Sequence, residues 1–281
     1  MPSFSSFSIG KAALLYLPQK PVRTSVHSVF THARNVVMRN GLLLTIAHSK
    51  AGHLPGGILL EPDHWQAFSS CPWEEGKLLW LSRISVDDPD HDFTLHWANA
   101  QVWEPKLNVR RFGESREILA RMQVVIEPAE PCSIAKEELS RRSAALISAL
   151  LKRNLDKTDE AVGALVGLGP GLTPSGDDIL VGMMLALHLL RRHGDHVPSA
   201  LRLLSSKVRQ HAGRTTAVGE SYLRYAAMGH FAEVAVNFGK QVLSAEGNWS
   251  AAADKLRDFG SSSGNDLMYG FAETVRAFGF N

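Results

Sequence analysis

The stretch Leu168–Gly182, LGPGLTPSGDDILVG, joins a segment rich in glycine and proline to two adjacent carboxylates and then to an apolar run. Glycine and proline interrupt regular structure, and the apolar run that follows is typical of a buried helix. We therefore predict a loop that places Asp177 and Asp178 in the first turn of a core helix. A second, degenerate copy of the pattern S-G-[D/N]-D-[I/L]-[L/M]-x-G lies at Ser262–Gly270. We call the two copies the first and second S-G-x-D motifs.

Each motif places a glycine inside its predicted helix, at Gly182 and Gly270. Glycine in a helix interior costs about 1 kcal/mol relative to alanine, and close approach of another backbone is the usual gain that offsets this loss. Side chains four residues apart share a helix face, so Asp178 faces the same way as Gly182, and Asp266 the same way as Gly270. The pattern predicts that the two helices cross at these glycines and that their first turns converge on one polar pocket.

A purely structural alternative explains part of the same pattern. Ser175 precedes Asp178 by three residues, as Ser263 precedes Asp266, and this spacing is close to that of a helix capping box. Such a cap stabilises a helix by about 1 kcal/mol and requires no ligand. The sequence leaves both interpretations open.

The rest of the chain predicts an α+β fold with an N-terminal mainly-β domain over residues 1–130 and a C-terminal all-α domain over residues 131–281 that carries both motifs. Short runs rich in β-branched and aromatic residues predict strands, and they are GLLLTIAHS, GGILLE, KLLWLSRISVDD and DFTLHWANAQVWEP. The segment ESREILARMQ predicts one helix within this half, and the proline-rich stretch Glu127–Ser133 predicts a linker. Helical periodicity then predicts helices over 135–153, 158–167, 176–193, 198–211, 215–229, 231–245, 249–258 and 264–278.

Composition restricts the class of protein. The chain has 281 residues, is 44% hydrophobic and carries a formal net charge of +2, with basic and acidic residues interspersed. This balance favours neither nucleic acid nor a membrane as partner, and the longest apolar run is too short to cross a bilayer. The two cysteines, Cys71 and Cys132, suggest no disulfide framework, and the N-terminus has no pattern of an export signal. We therefore expect a cytoplasmic protein.

The motifs supply the candidate site residues. Asp177 and Asp178 are the candidate catalytic residues. Glycine amides and hydroxyls near a helix N-terminus can bind an anion, and a third polar cluster adds an arginine beside two threonines, with Thr215 as an alternative helix cap. The candidate substrate-binding residues are Gly169, Gly171, Thr173, Ser175, Gly176, Arg214, Thr215, Thr216, Ser221, Ser263, Gly264, Asn265 and Asp266.

The carboxylates complicate an anion site, because they repel a phosphate unless a cation or an arginine lies between them. Mg²⁺ is therefore the one candidate cofactor, with Asp178 and Asp266 as its ligands if it is used. The histidines form no pair at a spacing typical of zinc ligands. The chain also lacks the phosphate-loop lysine and the strand that a dinucleotide fingerprint requires.

The string GLGPGLTPSGDDILVG resembles the signature of a bacterial family that includes the AllH-type subunit associated with oxamate carbamoyltransferase. A later Gly-x-x-S-G-x-D segment is matched by Gly260, Ser263, Gly264 and Asp266, and a T-T-x-x-x-x-S helix is matched by Thr215, Thr216 and Ser221. The N-terminal half is similar more loosely, through HSVFTHARNVVMRNGLLLTIAHSKAGHLPGGILLEP and the WEP at 103–105. The resemblance covers nearly the whole chain.

This resemblance implies a subunit of an enzyme that transfers a carbamoyl group between oxalurate and phosphate, giving oxamate and carbamoyl phosphate, in purine or allantoin breakdown. The implied partners are other enzyme subunits and a small anionic substrate of the carbamoyl phosphate, oxamate or oxalurate class. Two alternatives remain at this point. One is a non-catalytic anion-binding or scaffold subunit, because the sequence offers no recognisable nucleophile and base. The other is a stand-alone enzyme of the carboxylase or lyase type.

Overall fold

A computed structural model of the chain describes residues 3–107, 115–126, 131, 136–192, 196–244 and 246–279. The fold is α+β, as predicted, with an N-terminal curled mixed sheet followed by a helical region. The strands are β1 (Ser3–Ser5), β2 (Ser8–Gly10), β3 (Val22–Val29), β4 (Ala33–Val37), β5 (Leu43–His48), β6 (Gly57–Leu60), β7 (Leu78–Leu81), β8 (Ser85–Asp88), β9 (Phe93–His96) and β10 (Gln101–Trp103).

The described strands form one sheet in the order β1-β9-β8-β7-β3-β4-β5-β6-β2-β10. The pairs β1 with β9, β5 with β6 and β2 with β10 are parallel, and the other pairs are antiparallel. Burial alternates along β7, β8 and β9, as expected for strands with one face on the core. All four strand-rich segments predicted from the sequence contain strands.

The helices in the described residues are α1 (Pro62–Ser69), α2 (Ser115–Ile126), α3 (Lys136–Leu151), α4 (Leu155–Leu165), α5 (Ser175–Leu190), α6 (His196–His211), α7 (Ala217–Ala226), α8 (Glu233–Leu243), α9 (Trp249–Arg257) and α10 (Ser263–Gly279). Every helix predicted from periodicity is present, including the one at ESREILARMQ. Helix α1 was not predicted. It is short and begins with a proline at its first position, where proline fits a helix because the missing N–H has no partner there in any case.

Contacts divide the chain into two compact units, Met1–Pro105 and Lys106–Asn281. Helix α2 belongs to the second unit, where it packs against α8, α9 and α10. The boundary between the units therefore lies before α2, whereas the sequence predicts a boundary after it, at residue 130. Apart from Pro131, the predicted linker Glu127–Ser133 lies outside the described residues.

Helix α5 is the central helix of the second unit. Every one of its residues except His188 is buried, and its neighbours include α3, α4, α6, α7, α8 and α10. A helix that is apolar all round is expected in such a position. Across the described ranges, no helix combines the length and apolar character that a membrane span requires.

Candidate functional site

The two S-G-x-D motifs meet where α5 crosses α10. A Cβ atom added to Gly182 would lie 1.9 Å from the carbonyl oxygen of Leu267, and one added to Gly270 would lie 2.1 Å from that of Ile179. The contact is reciprocal, because Ile179 and Leu267 occupy the same position in their respective motifs. The predicted crossing at the two glycines is therefore confirmed.

Each of these helices also begins against the end of the helix that precedes it. A Cβ atom on Gly176 would lie 2.1 Å from the carbonyl oxygen of Leu165 in α4, and one on Gly264 would lie 2.0 Å from that of Leu256 in α9. These two glycines, predicted to bind substrate, thus allow close backbone packing. The α4–α5 and α9–α10 pairs repeat one local arrangement within the chain.

The capping-box alternative is wrong for the first motif. Helix α5 begins at Ser175, its N-cap is Pro174, and the cap makes no side-chain hydrogen bond. Ser175 is instead buried beside Gly169, whose φ of 113° lies in the left-handed region that favours glycine. Gly260, with a φ of 69°, packs in the same way on Ser263.

The convergence of the helix starts produces a cluster of two hydroxyls and two carboxyls, Thr173, Asp178, Ser263 and Asp266, which we call the carboxylate cluster. The Thr173 and Ser263 hydroxyls are hydrogen-bonded to each other, with 2.9 Å between their oxygen atoms, and each is also hydrogen-bonded to Asp178. Asp178 is only 4% exposed, and its Oδ2 atom has no hydrogen-bond partner among the described residues. Asp266 is fully buried. Thr173 and Ser263 are partly exposed, whereas Asp178 is buried.

The electrostatics of the cluster favour a protonated acid. Burial outweighs the hydrogen bonds from Ser263 and Thr173, and the negative charges of Asp266 and Asp177 act in the same direction, so that the pKa of Asp178 rises to about 8. Asp178 is therefore mainly neutral at pH 7. A neutral carboxyl can donate a hydrogen bond, and it does not repel an anion as a carboxylate does. The conflict between two carboxylates and an anionic ligand is thereby reduced without a cation.

Asp177 joins the glycine-rich loop to α7. Its Oδ1 atom accepts a hydrogen bond of 2.8 Å from the Gly167 amide, and its Oδ2 atom accepts one of 2.6 Å from the Thr215 hydroxyl. Gly219 leaves room for this carboxyl, because a Cβ atom there would lie 2.4 Å from Oδ2. Burial raises the pKa of Asp177, and the two hydrogen bonds oppose that rise. Both carboxyl oxygens of Asp177 accept a hydrogen bond from the chain, so this residue holds Gly167 and Thr215 in position.

The third polar cluster is only partly at this site. Thr216, not Thr215, is the N-cap of α7: it accepts a hydrogen bond from the Gly219 amide and donates one to the Leu172 carbonyl of the glycine-rich loop. Ser221 is buried and donates within its own helix, to the Ala217 carbonyl. The threonines thus fix the loop against α7.

Arg214 is directed elsewhere. Its Nη1 atom is 3.1 Å from the Nδ1 atom of His211, and the same atom lies over Gly163 in α4. The His211 Nε2 atom in turn contacts Asp159 at 3.2 Å. The described contacts of the Arg214 side chain are therefore with α6 and α4 and not with the carboxylate cluster.

Two further candidates lie at the edge of the site. Gly171 is exposed, and a Cβ atom there would meet open space, although its φ of 96° favours glycine. Asn265 is partly exposed in the first turn of α10, at the position that Asp177 occupies in α5.

Sequence reasoning missed Tyr222. Burial, together with the negative charge of Asp178, raises the pKa of Tyr222, and this interaction places the phenol near the carboxylate cluster. The signal in the sequence was Gly219: it packs against Asp177, and a residue three positions later lies on the same face of α7.

The metal prediction rests on two side chains. No group of three or more His, Cys, Asp or Glu side chains within the described ranges could hold a metal ion. Asp178 and Asp266 would supply only part of the oxygen ligands that Mg²⁺ takes. With Asp178 neutral at pH 7, the pair would also have to lose a proton before it bound a cation well.

The Asp177–Thr215 hydrogen bond gives a testable expectation for stability. We expect Thr215→Val to lower the free energy of unfolding by about 1 to 2 kcal/mol, because it leaves a buried carboxyl oxygen without its donor at nearly constant side-chain volume. Thr215→Ser, which keeps the hydroxyl, should retain most of that energy. Urea denaturation of the two variants measures the difference, and equal losses would contradict the role assigned to the hydroxyl.

Comparison with known protein families covers both units. Residues 165–275 match the family model described as oxamate carbamoyltransferase subunit AllH, and residues 5–101 match the model of the AllH family N-terminal domain. No solved structure matches the chain. The two family matches together span most of the sequence and include both S-G-x-D motifs. The chain belongs to the AllH family.

Proposed function

We propose that this chain is a subunit of a carbamoyl-transferring enzyme of the oxamate carbamoyltransferase type and that the carboxylate cluster contacts its substrate. The family match carries the proposal, because the description of the matching family names a subunit of that enzyme. The word subunit also implies partner subunits in a larger assembly. The buried, neutral Asp178 beneath two hydroxyls supports a role for this chain in binding or chemistry.

The proposed reaction moves a carbamoyl group between oxalurate and phosphate. In the direction of oxalurate breakdown, a phosphate oxygen forms a bond to the carbamoyl carbon, and the bond from that carbon to the amide nitrogen breaks. The nitrogen leaves as the amide of oxamate and must gain a proton, and the hydrogen phosphate ion loses one. The products are oxamate and carbamoyl phosphate, and atoms and charge balance.

Asp178 is the side chain best suited to move this proton. A carboxyl with a pKa of about 8 holds a proton at neutral pH and can give it to a leaving nitrogen, and the phosphate hydroxyl can restore it. The Thr173 and Ser263 hydroxyls, which are hydrogen-bonded to Asp178, orient its carboxyl. Primary amides and ureido groups present both N–H donors and a carbonyl acceptor, which match a cluster of carboxyls and hydroxyls. In this proposal Asp177 is a positioning residue, because both of its oxygens are already bonded within the chain.

Turnover of the enzyme reconstituted with its partner subunits tests the proposal. We expect Asp178→Asn to lower kcat by about 100-fold or more, because the amide keeps the shape of the neutral acid but cannot transfer its proton. The matched control is Asp254→Asn, which changes an exposed acid on α9 and should leave turnover unchanged. In the wild type, activity in this direction should fall above pH 8 as Asp178 loses its proton.

A second candidate function is a non-catalytic subunit that binds a small anion or supports the complex. The low exposure of Asp178 favours it, because a substrate has little access to a carboxyl that is only 4% exposed. If Asp178→Asn turns over at the wild-type rate in an intact complex, the catalytic role is wrong and the second candidate stands. Binding of oxamate or carbamoyl phosphate to the isolated chain, measured by calorimetry, then separates anion binding from support alone.

A further inference from the structure

The N-terminal unit contains a buried arginine that the proposed function does not use. Arg34 is the second residue of strand β4 and lies on the same face of the strand as Val36; both residues are buried, as is Asn35 between them. It is only 4% exposed. Its guanidinium lies over the rings of Phe68 and Trp73, with its Cζ atom 4.8 Å and 5.8 Å from the two ring centroids. Two aromatic faces therefore hold a positive charge inside the unit.

The charge of Arg34 lacks a carboxylate partner among the described residues. Its Nη2 atom donates to the Ser69 carbonyl, whereas its Nη1 atom is buried and has no hydrogen-bond partner within the part of the chain that the structure describes. Asp88, the acid that contacts Trp73, is bonded to that indole, to His91 and to Lys77. A buried cation with an unused N–H group carries a free-energy cost that an oxygen acceptor would remove.

An open groove of about 810 Å³ lies beside this guanidinium. It is lined by the turn from β3 to β4 and by Ala51 and Ser69, and Arg34 is itself part of the lining. Because Arg34 bonds to the Ser69 carbonyl, its guanidinium lies at the end of the groove that Ser69 forms. The volume is within the range of small-molecule sites. The Nη1 atom is covered in this conformation, so binding there includes a small shift of a groove side chain.

The lining indicates the class of ligand. Val29, Phe30, Ala33 and Ala51 make much of the groove apolar, and Arg34 is its one buried charge among the described residues. A planar guanidinium matches a carboxylate, whose two oxygens can accept from it side by side. A single positive charge does not balance a phosphate dianion. We propose that the groove is a binding site for a small monocarboxylate with a short apolar tail, whose carboxylate bonds to Arg34.

Calorimetric titration of the full chain with butyrate tests this site, with the neutral butyramide as the matched ligand control. We expect butyrate to bind and butyramide to bind at least about 10-fold more weakly, because only the carboxylate can pair with the guanidinium. Arg34→Gln should weaken butyrate binding by a similar factor. Asp178→Asn, which changes the carboxylate cluster in the second unit, should bind butyrate as the wild type does, so that the result is independent of the proposed function.

A second variant keeps the site testable if Arg34→Gln does not fold. Ala51 is exposed on the groove wall, so Ala51→Phe places an aromatic ring in the groove and leaves Arg34 in place. Loss of butyrate binding in Ala51→Phe, with an unchanged circular dichroism spectrum, supports the site. Absence of butyrate binding to the wild type would overturn the proposal, and so would wild-type affinity in either variant that folds.

Discussion

Gly182→Ala is expected to lower the free energy of unfolding by about 3 kcal/mol or more, because the added methyl group would overlap a backbone carbonyl of the neighbouring helix. That carbonyl belongs to Leu267 and lies 1.9 Å from the position of the new Cβ atom, so relief requires the two helices to move apart. Helix propensity alone gives the opposite sign, since alanine is favoured over glycine in a helix by about 1 kcal/mol. Urea denaturation therefore distinguishes the two effects clearly.

Two further variants test the crossing. Gly213→Ala is the matched control, because the one atom of the described residues that its new Cβ atom would meet is on the Glu220 side chain, at 3.8 Å; we expect a change of less than about 1 kcal/mol. Gly270→Ala should cost as much as Gly182→Ala. The double variant should cost less than the sum of the two, because helices already separated by one methyl group admit the second. A Gly182→Ala protein as stable as the wild type would contradict the crossing.

Asp178 is expected to make the stability of the chain fall as pH rises from 5 to 8. Its pKa is about 8 in the folded chain and near the ordinary value of 3.8 when unfolded, so folding takes up a proton over this range. Linkage then gives a loss of about 1.4 kcal/mol for each pH unit, or about 4 kcal/mol between pH 5 and pH 8. Above pH 8 the loss should level off. Asp178→Asn has no proton to release, so its stability relative to the wild type should rise across the same interval.

The comparison with Asp178→Asn isolates this effect from other titrating groups. Burial, together with the positive charges of Arg191, His230 and Lys106, lowers the pKa of His188 to about 4, so the unfolded chain binds the extra proton below pH 6.5 and stability there rises with pH. Both proteins contain His188, and its contribution cancels. Denaturation curves at several pH values measure the difference, with the exposed Asp254→Asn as control. Parallel profiles for wild type and Asp178→Asn would contradict the protonated state of Asp178.

The helix crossing could be predicted from the sequence, because it depends on a glycine inside each helix and the same motif occurs twice. Glycine destabilises a helix interior, so its presence there indicates close contact with another backbone. Two such glycines at the same position in two copies of a motif indicate that the two helices contact each other. The helices themselves followed from periodicity. Helix α1 did not, because its eight residues, Pro62–Ser69, are too few to show a clear period.

The hydrogen bonds of the site could not be predicted, because they join residues distant in the chain. Spacing suggested that Asp178 would cap its own helix with Ser175, yet the carboxyl bonds instead to Thr173 and to Ser263 of the other motif. Tertiary contacts thus took the place of the local cap. Arg214 was placed with the anion site by its neighbours in sequence, whereas its side chain turns toward His211. Side-chain direction at a loop is set by packing that the sequence does not display.

Arg34 shows a signal that the sequence did contain. Arg34 shares a face of strand Ala33–Val37 with the buried Val36, and a buried charge in a strand is uncommon. Its aromatic neighbours lie on and just after α1, which was not predicted, so the surroundings of the guanidinium could not be assembled in advance.

The reciprocal contact of the two glycines limits the substitutions that the two motifs can tolerate. Each motif supplies the backbone carbonyl that the other motif's glycine must clear, so a side chain at either glycine would force the same two helices apart. The arrangement is that of a two-fold symmetric pair carried on one polypeptide. The α4–α5 and α9–α10 pairs therefore depend on each other at one backbone contact, and a substitution at either glycine alters both.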